Sequence, residues 1–206
     1  PLALAPPPRR APGRRASAPL SLWAFVALAL IYGICETLLG NWAVPYWHDQ
    51  RGLSAATAGL VLAVFWACVT AGRLGTAVLA RWLPPRRLYP LLPLLLLAAF
   101  VLIPRVRGGA SAMAVFALAG VGCSALLPLT IAFAEERFPA LAEMLSGELI
   151  AVYMVGYGVA SFGVGPLAAR GFALGGLYTA AAVLALVMAV LGFVLLRRPR
   201  AAVRPA

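Results

Sequence analysis

The chain of 206 residues is 63% hydrophobic and 11% charged, with a mean hydropathy of +0.94. Soluble domains carry about 25% charged residues, so this composition indicates an integral membrane protein. The net charge of +11 comes from seventeen basic residues, all arginine. They sit at the ends of apolar runs and form no basic domain, which excludes a nucleic-acid partner.

Residues 1–19, PLALAPPPRRAPGRRASAP, have too few large apolar side chains to build a core and read as a disordered, solvated linker. The arginines ahead of the first apolar run resemble a secretory signal, but that run is too long and five more follow. The initial proline suggests a fragment or a processed product. Apolar segments suited to a roughly 30 Å hydrocarbon layer fall near 21–46, 54–80, 88–104, 112–134, 147–168 and 176–196, and 199–206 form a tail. This predicts an all-α bundle of six transmembrane helices over 20–198, with both termini on one side. Twelve arginines fall on that side. Four fall on the other (Arg51, Arg105, Arg107, Arg170), and Arg73 lies inside a span. The positive-inside rule therefore predicts cytoplasmic termini in a multi-pass protein of the inner or plasma membrane.

In the first segment, Tyr32, Gly33, Glu36, Leu39, Gly40 and Ala43 share a stripe at helical spacing. Gly33 and Gly40 suit close helix contact. Glu36 lies roughly 20 Å from the cytoplasmic end of its helix at 1.5 Å per residue, too deep to reach headgroups. An intramembrane carboxylate points to function, with a structural hydrogen bond as the bland alternative. In the second segment, Gly59, Trp66, Thr70, Arg73 and Ala77 form a comparable stripe. Arg73 lies roughly 10 Å from its own cytoplasmic end. That offset disfavours a salt bridge with Glu36 and favours snorkelling or contact with the acidic loop after helix four.

The third segment, PLLPLLLLAAFVLI, and the sixth, AAAVLALVMAVLGFVLL, have no hydrogen-bonding side chain. In the fourth, Gly120, Ser124 and Pro128 share a stripe. Ser124 is expected to bond its own backbone, and Pro128 to kink the helix or loosen its ladder. In the fifth, Tyr153 and Tyr157 lie one turn apart, and a tyrosine at mid-depth needs a partner. Helices one, two, four and five thus carry residues able to line something, while three and six face lipid or packing surfaces.

The stretches YGICETLLGNWAVPYW, FWACVTAGRLGTAVLARWLPPRRL, GVGCSALLPLTIAFAEERFP and GYGVASFGVGPLAARG resemble the carboxy-terminal half of major facilitator superfamily transporters. Within the superfamily they are most similar to the fucose:proton symporter-like permeases. The resemblance covers roughly residues 20–200. It implies one half of a twelve-helix fold, with residues 1–19 as the loop between halves. It also implies an amino-terminal six-helix half as partner, on the same or a separate chain. In such transporters the loop after helix two carries a basic motif. Arg81, Arg86 and Arg87 match its basic positions, Ala80 replaces its aspartate, and Pro84–Pro85 replaces its glycine turn. With Arg73, these arginines are the cytoplasmic gate candidates.

The expected function is secondary active transport of a small polar solute, sugars among the candidates, by alternating access and coupled to protons. Burial disfavours the charged form of a carboxylate. Glu36 is therefore expected to hold a proton when sealed and to ionise when wetted. Tyr32, Asn41, Trp66, Thr70, Ser124, Tyr153 and Tyr157 are the cavity candidates, and Asn41 is the weakest because it lies off the Glu36 stripe. The expected partners are the lipid bilayer, the solute and the proton. The alternatives are a drug or metabolite efflux protein and a non-transporting six-helix scaffold.

Enzyme readings lack the residues they need. Haem bundles and intramembrane serine proteases require histidine inside the bundle, whereas His48, the only histidine, lies in an outer loop. Cys35, Cys68 and Cys123 lie singly in apolar runs, with neither CxxC nor HExxH, so no cofactor or metal is expected. A channel would need a selectivity motif or a long polar pore stripe, and neither appears.

Overall fold

The computed structural model describes residues 19–197. All of the predicted linker except Pro19 lies outside the described residues, as does the tail. Six helices are long and apolar enough to cross a membrane: α1 (Leu20–Asn41), α2 (Ala55–Leu79), α3 (Pro85–Leu102), α4 (Gly109–Arg137), α5 (Pro139–Ala169) and α6 (Leu174–Arg197). No strand occurs among the described residues. The protein is an all-α bundle of six membrane-type helices.

Two of these helices are interrupted in the same way. The sequence reading carried the first helix to residue 46, but α1 ends at Asn41. Trp42 takes φ −106° and ψ 2°, and a short helix, Ala43–Pro45, and a π-turn, Tyr46–Gln50, follow. In α4 the regular helix stops at Ser124, Ala125 takes φ −117° and ψ 5°, and the helix resumes over Leu126–Arg137. Each break residue stands three positions before a proline, Pro45 and Pro128. Proline has no N–H, and its ring crowds the carbonyl four residues earlier, so the ladder opens just ahead of it. Pro128 therefore acts as expected, and Pro45 exerts the same effect at the end of α1.

The packing repeats as well. α1 lies along α5 as α4 lies along α2, α1 packs on α6 as α4 packs on α3, and α3 packs on α6. Exchanging the first three helices with the last three leaves this pattern unchanged. A triplet of spans crosses the membrane an odd number of times, so the two triplets run through it in opposite directions.

Glycines allow the closest approaches. A Cβ on Gly33 would meet the Tyr153 carbonyl oxygen at 2.2 Å, and one on Gly156 would meet the Leu30 carbonyl oxygen at 2.2 Å. The backbones of α1 and α5 therefore touch. On the α2–α4 pair, a Cβ on Gly120 would lie 2.5 Å from the Phe65 carbonyl oxygen, and one on Gly72 would lie 2.6 Å from Ser124 Cβ.

Burial is uneven. α1 and α4 are the most enclosed helices, whereas α2 and α5 are the most exposed. On α2 the buried side is Ala58, Val61, Phe65 and Val69. The stripe holding Trp66, Thr70, Arg73 and Ala77 is exposed. The apolar helices α3 and α6 pack behind α4 and α1 and keep an outward face with Leu91, Leu94, Val183 and Val190 exposed.

Candidate functional site

The interior of α1 places Glu36 where α5 and α4 converge, only 4% exposed. Tight contact at Gly33 and Gly156 draws α5 in until the Tyr153 hydroxyl lies 2.5 Å from Glu36 Oε2. One turn back on α1, the Tyr32 hydroxyl lies 2.7 Å from Oε1 and 3.0 Å from the Cys123 carbonyl oxygen at the break in α4. The Tyr32 and Tyr153 rings stack with centroids 5.6 Å apart, which fixes both hydroxyls toward the carboxyl group. Glu36 thus receives a group on each oxygen, and the network runs through three helices.

Arg73 sits on the other side of the α4 break. Its Nε donates to the Ser124 carbonyl oxygen at 3.0 Å. In an unbroken helix that carbonyl would accept from residue 128, which is Pro128 and has no N–H. The guanidinium supplies the missing donor. The expectation for Arg73 did not include this main-chain partner, and Arg73 forms no ion pair with Glu36 among the described residues. The acceptor is a backbone carbonyl that Pro128 leaves free within reach of the guanidinium.

Asn41, the last residue of α1, joins a second polar group. Its Nδ2 donates to the Tyr157 hydroxyl at 3.1 Å and to Ser161 Oγ at 3.0 Å, and the Tyr157 hydroxyl lies 3.2 Å from its Oδ1. Neighbouring Trp42 donates from Nε1 to the Ala160 carbonyl oxygen at 3.1 Å. Asn41 lies off the Glu36 stripe on α1, and its partners come from α5. Residues Tyr153, Tyr157 and Ser161 recur every turn along α5, so that helix serves Glu36 with its first tyrosine and Asn41 with its second. Ser161 was missed, although its spacing from Tyr157 was legible.

The remaining candidates separate. Trp66 lies across Gly40, where a Cβ would come within 3.0 Å of its ring, and it stays 43% exposed beside the Glu36 helix. Thr70 is exposed and back-bonds to the Trp66 carbonyl oxygen at 3.0 Å. Ser124 is buried and back-bonds to the Val121 carbonyl oxygen at 2.7 Å, so its hydroxyl is already occupied. Of the arginines expected at the cytoplasmic end, Arg86 makes a two-pronged contact with Glu136, 3.1 Å to each carboxylate oxygen, and lies over the Phe133 ring. This ties the start of α3 to the end of α4. Arg81 and Arg87 are exposed.

No cluster of three or more His, Cys, Asp or Glu side chains suited to a metal occurs among the described residues. The polar groups form instead a buried carboxyl group and, further along α1, a hydrogen-bonded group of Asn41, Tyr157 and Ser161, with exposed Trp66 over Gly40 and Thr70 a turn from Trp66 on α2. That arrangement can hold a proton in one place and hydrogen-bond a solute beside it. Compared with family models and with curated proteins, the chain matches none.

Proposed function

We propose that this chain is the six-helix half of a proton-coupled secondary transporter that moves a small polar solute by alternating access. The observation that carries the reading is Glu36, a carboxyl group buried deep in a membrane-type helix with a tyrosine hydroxyl on each oxygen. Such a group is expensive inside a membrane and is retained where charge must change. The opposed triplets support the same reading, since transporters of this kind are built from inverted repeats with the site at the repeat interface. So does the exposure of α2 and α5, which leaves the polar face open for an amino-terminal half to complete the cavity.

In this reading Glu36 carries the proton. Trp66 offers a flat ring, and Asn41, Tyr157 and Ser161 offer donors and acceptors. That combination suits a polyhydroxylated solute with an apolar ring face, so sugars are the first candidates to assay. The Arg86–Glu136 pair closes the end of the bundle that the arginine distribution assigns to the cytoplasm.

The test is Glu36→Gln in vesicles carrying the native full-length polypeptide, with radiolabelled L-fucose and a small panel of hexoses. The variant should exchange sugar in counterflow but lose accumulation driven by a pH gradient. Accumulation equal to wild type would remove Glu36 from the coupling. If wild type moves none of these sugars but extrudes a fluorescent drug, the efflux alternative takes over. If it moves neither, the scaffold alternative does.

A further inference from the structure

The hydrogens around Glu36 can be counted. A tyrosine hydroxyl has one proton to donate. Tyr32 lies within hydrogen-bond distance of two oxygens, Glu36 Oε1 at 2.7 Å and the Cys123 carbonyl oxygen at 3.0 Å. If Glu36 is ionised, both are acceptors, and Tyr32 can satisfy only one. All contacts become hydrogen bonds when Oε1 carries a proton. Glu36 then donates to the Tyr32 oxygen, Tyr32 donates to the Cys123 carbonyl, and Tyr153 donates to Oε2. When the proton leaves Glu36, the carboxylate claims the Tyr32 proton, because a charge-assisted bond is the stronger one. The Cys123 carbonyl then faces the lone pairs of Tyr32.

The position of that carbonyl makes the exchange consequential. Cys123 adjoins the α4 break, where the Ala125 N–H already turns back to the Cys123 carbonyl and Arg73 holds the Ser124 carbonyl. The break is thus held from α1 by Tyr32 and from α2 by Arg73. Only the Tyr32 bond depends on the proton.

We infer that Tyr32 is a positioning residue that transmits the protonation state of Glu36 to the α4 break. The neutral acid ties the first half of α4, Gly109–Ser124, to α1 through the Cys123 carbonyl, and loss of the proton frees that half to reorient about the break. This rests on the transporter reading and specifies how its proton would be converted into movement. The groups facing Glu36 are Tyr32 on its own helix, Cys123 from α4, and Tyr153 from α5 with Tyr157 a turn beyond. From α2, Arg73 reaches the neighbouring carbonyl. From α6, Tyr178 is occupied by the Leu38 carbonyl.

The test uses the full-length polypeptide with its native cysteines replaced by alanine, which leaves the Cys123 carbonyl in place. Spin labels at Ala110→Cys and Ala132→Cys, on exposed positions either side of the break, report the angle of α4 across a pH titration. The infrared carbonyl band of the Glu36 acid is followed in parallel. Wild type should shift its label distance as that band disappears. Tyr32→Phe should lose the shift while the band still titrates. Glu36→Gln should stay at the low-pH distance throughout. Tyr153→Phe, which removes the other hydroxyl and leaves the route to α4 intact, should keep the shift and shows whether losing a hydroxyl merely disrupts the fold. A label distance in Tyr32→Phe that follows the band as in wild type overturns the latch, as does a wild-type distance that ignores the band. Either result leaves the transport reading standing, because that is decided separately by the pH-driven accumulation of Glu36→Gln.

Discussion

Replacing Gly156 by alanine adds one methyl group, and the structure specifies what it meets. The new Cβ would lie 2.2 Å from the Leu30 carbonyl oxygen and 3.2 Å from the Ile34 nitrogen. Both are backbone atoms of a regular helix, so no rotamer change relieves the contact. Restoring ordinary van der Waals separation requires α1 and α5 to part by roughly 1 Å at this level, since close-packed atoms sit about 3.5 Å apart. Overpacking of this kind costs about 1–3 kcal/mol, and a backbone-on-backbone clash belongs at the upper end. Alanine in a helix returns about 0.5–1 kcal/mol relative to glycine, leaving a net loss of about 2 kcal/mol. Gly158 on the same helix provides the control, because a Cβ there meets nothing within 4 Å. Gly158→Ala should stabilise by about 0.5–1 kcal/mol. The two variants should therefore differ in unfolding midpoint by roughly 5 °C or more, measured on the purified full-length protein in detergent. The same parting would carry Tyr153 away from Glu36, now 2.5 Å away, so Gly156→Ala should also lose pH-driven solute accumulation. Equal midpoints for the two alanine variants would refute the reasoning, because they would mean that α1 and α5 do not touch at Gly156.

Removing the Arg73 side chain leaves the Ser124 carbonyl without a donor, so Arg73→Ala should destabilise by about 1–3 kcal/mol. Pro128→Ala supplies a backbone N–H for the same carbonyl, so the double variant should recover part of that loss, with a coupling of about 0.5–3 kcal/mol. Strictly additive effects in thermal unfolding would contradict the shared acceptor. Asn41→Leu abolishes the bonds to Tyr157 and Ser161 without touching Glu36. Solute counterflow should then need roughly tenfold more solute for half-saturation, the equivalent of about 1.4 kcal/mol, while pH-driven coupling persists. Loss of coupling in that variant would mean that the two polar groups act as one.

Much of the architecture was present in one dimension. Six apolar segments of spanning length force six helices, because a backbone in lipid must satisfy its own hydrogen bonds. The singular position of Glu36 follows from hydropathy alone, and Pro128 announces a break because proline lacks a donor wherever it stands in a helix. The Gly33, Gly156 and Gly120 contacts were legible only as small residues, since composition does not say which backbone will approach.

Tertiary structure decided the partners. Periodicity assigns residues to a face of one helix and carries no information about which helix covers that face. Asn41 was therefore undervalued until α5 was seen to pass both it and Glu36, and Ser161 was overlooked. Arg73 was judged by depth against charged groups, yet its partner is a main-chain oxygen, which has no letter in the sequence. The same holds for the Cys123 carbonyl. Sequence names side chains and their spacing. Only the packed bundle shows which backbone groups the prolines leave free and which distant side chains reach them.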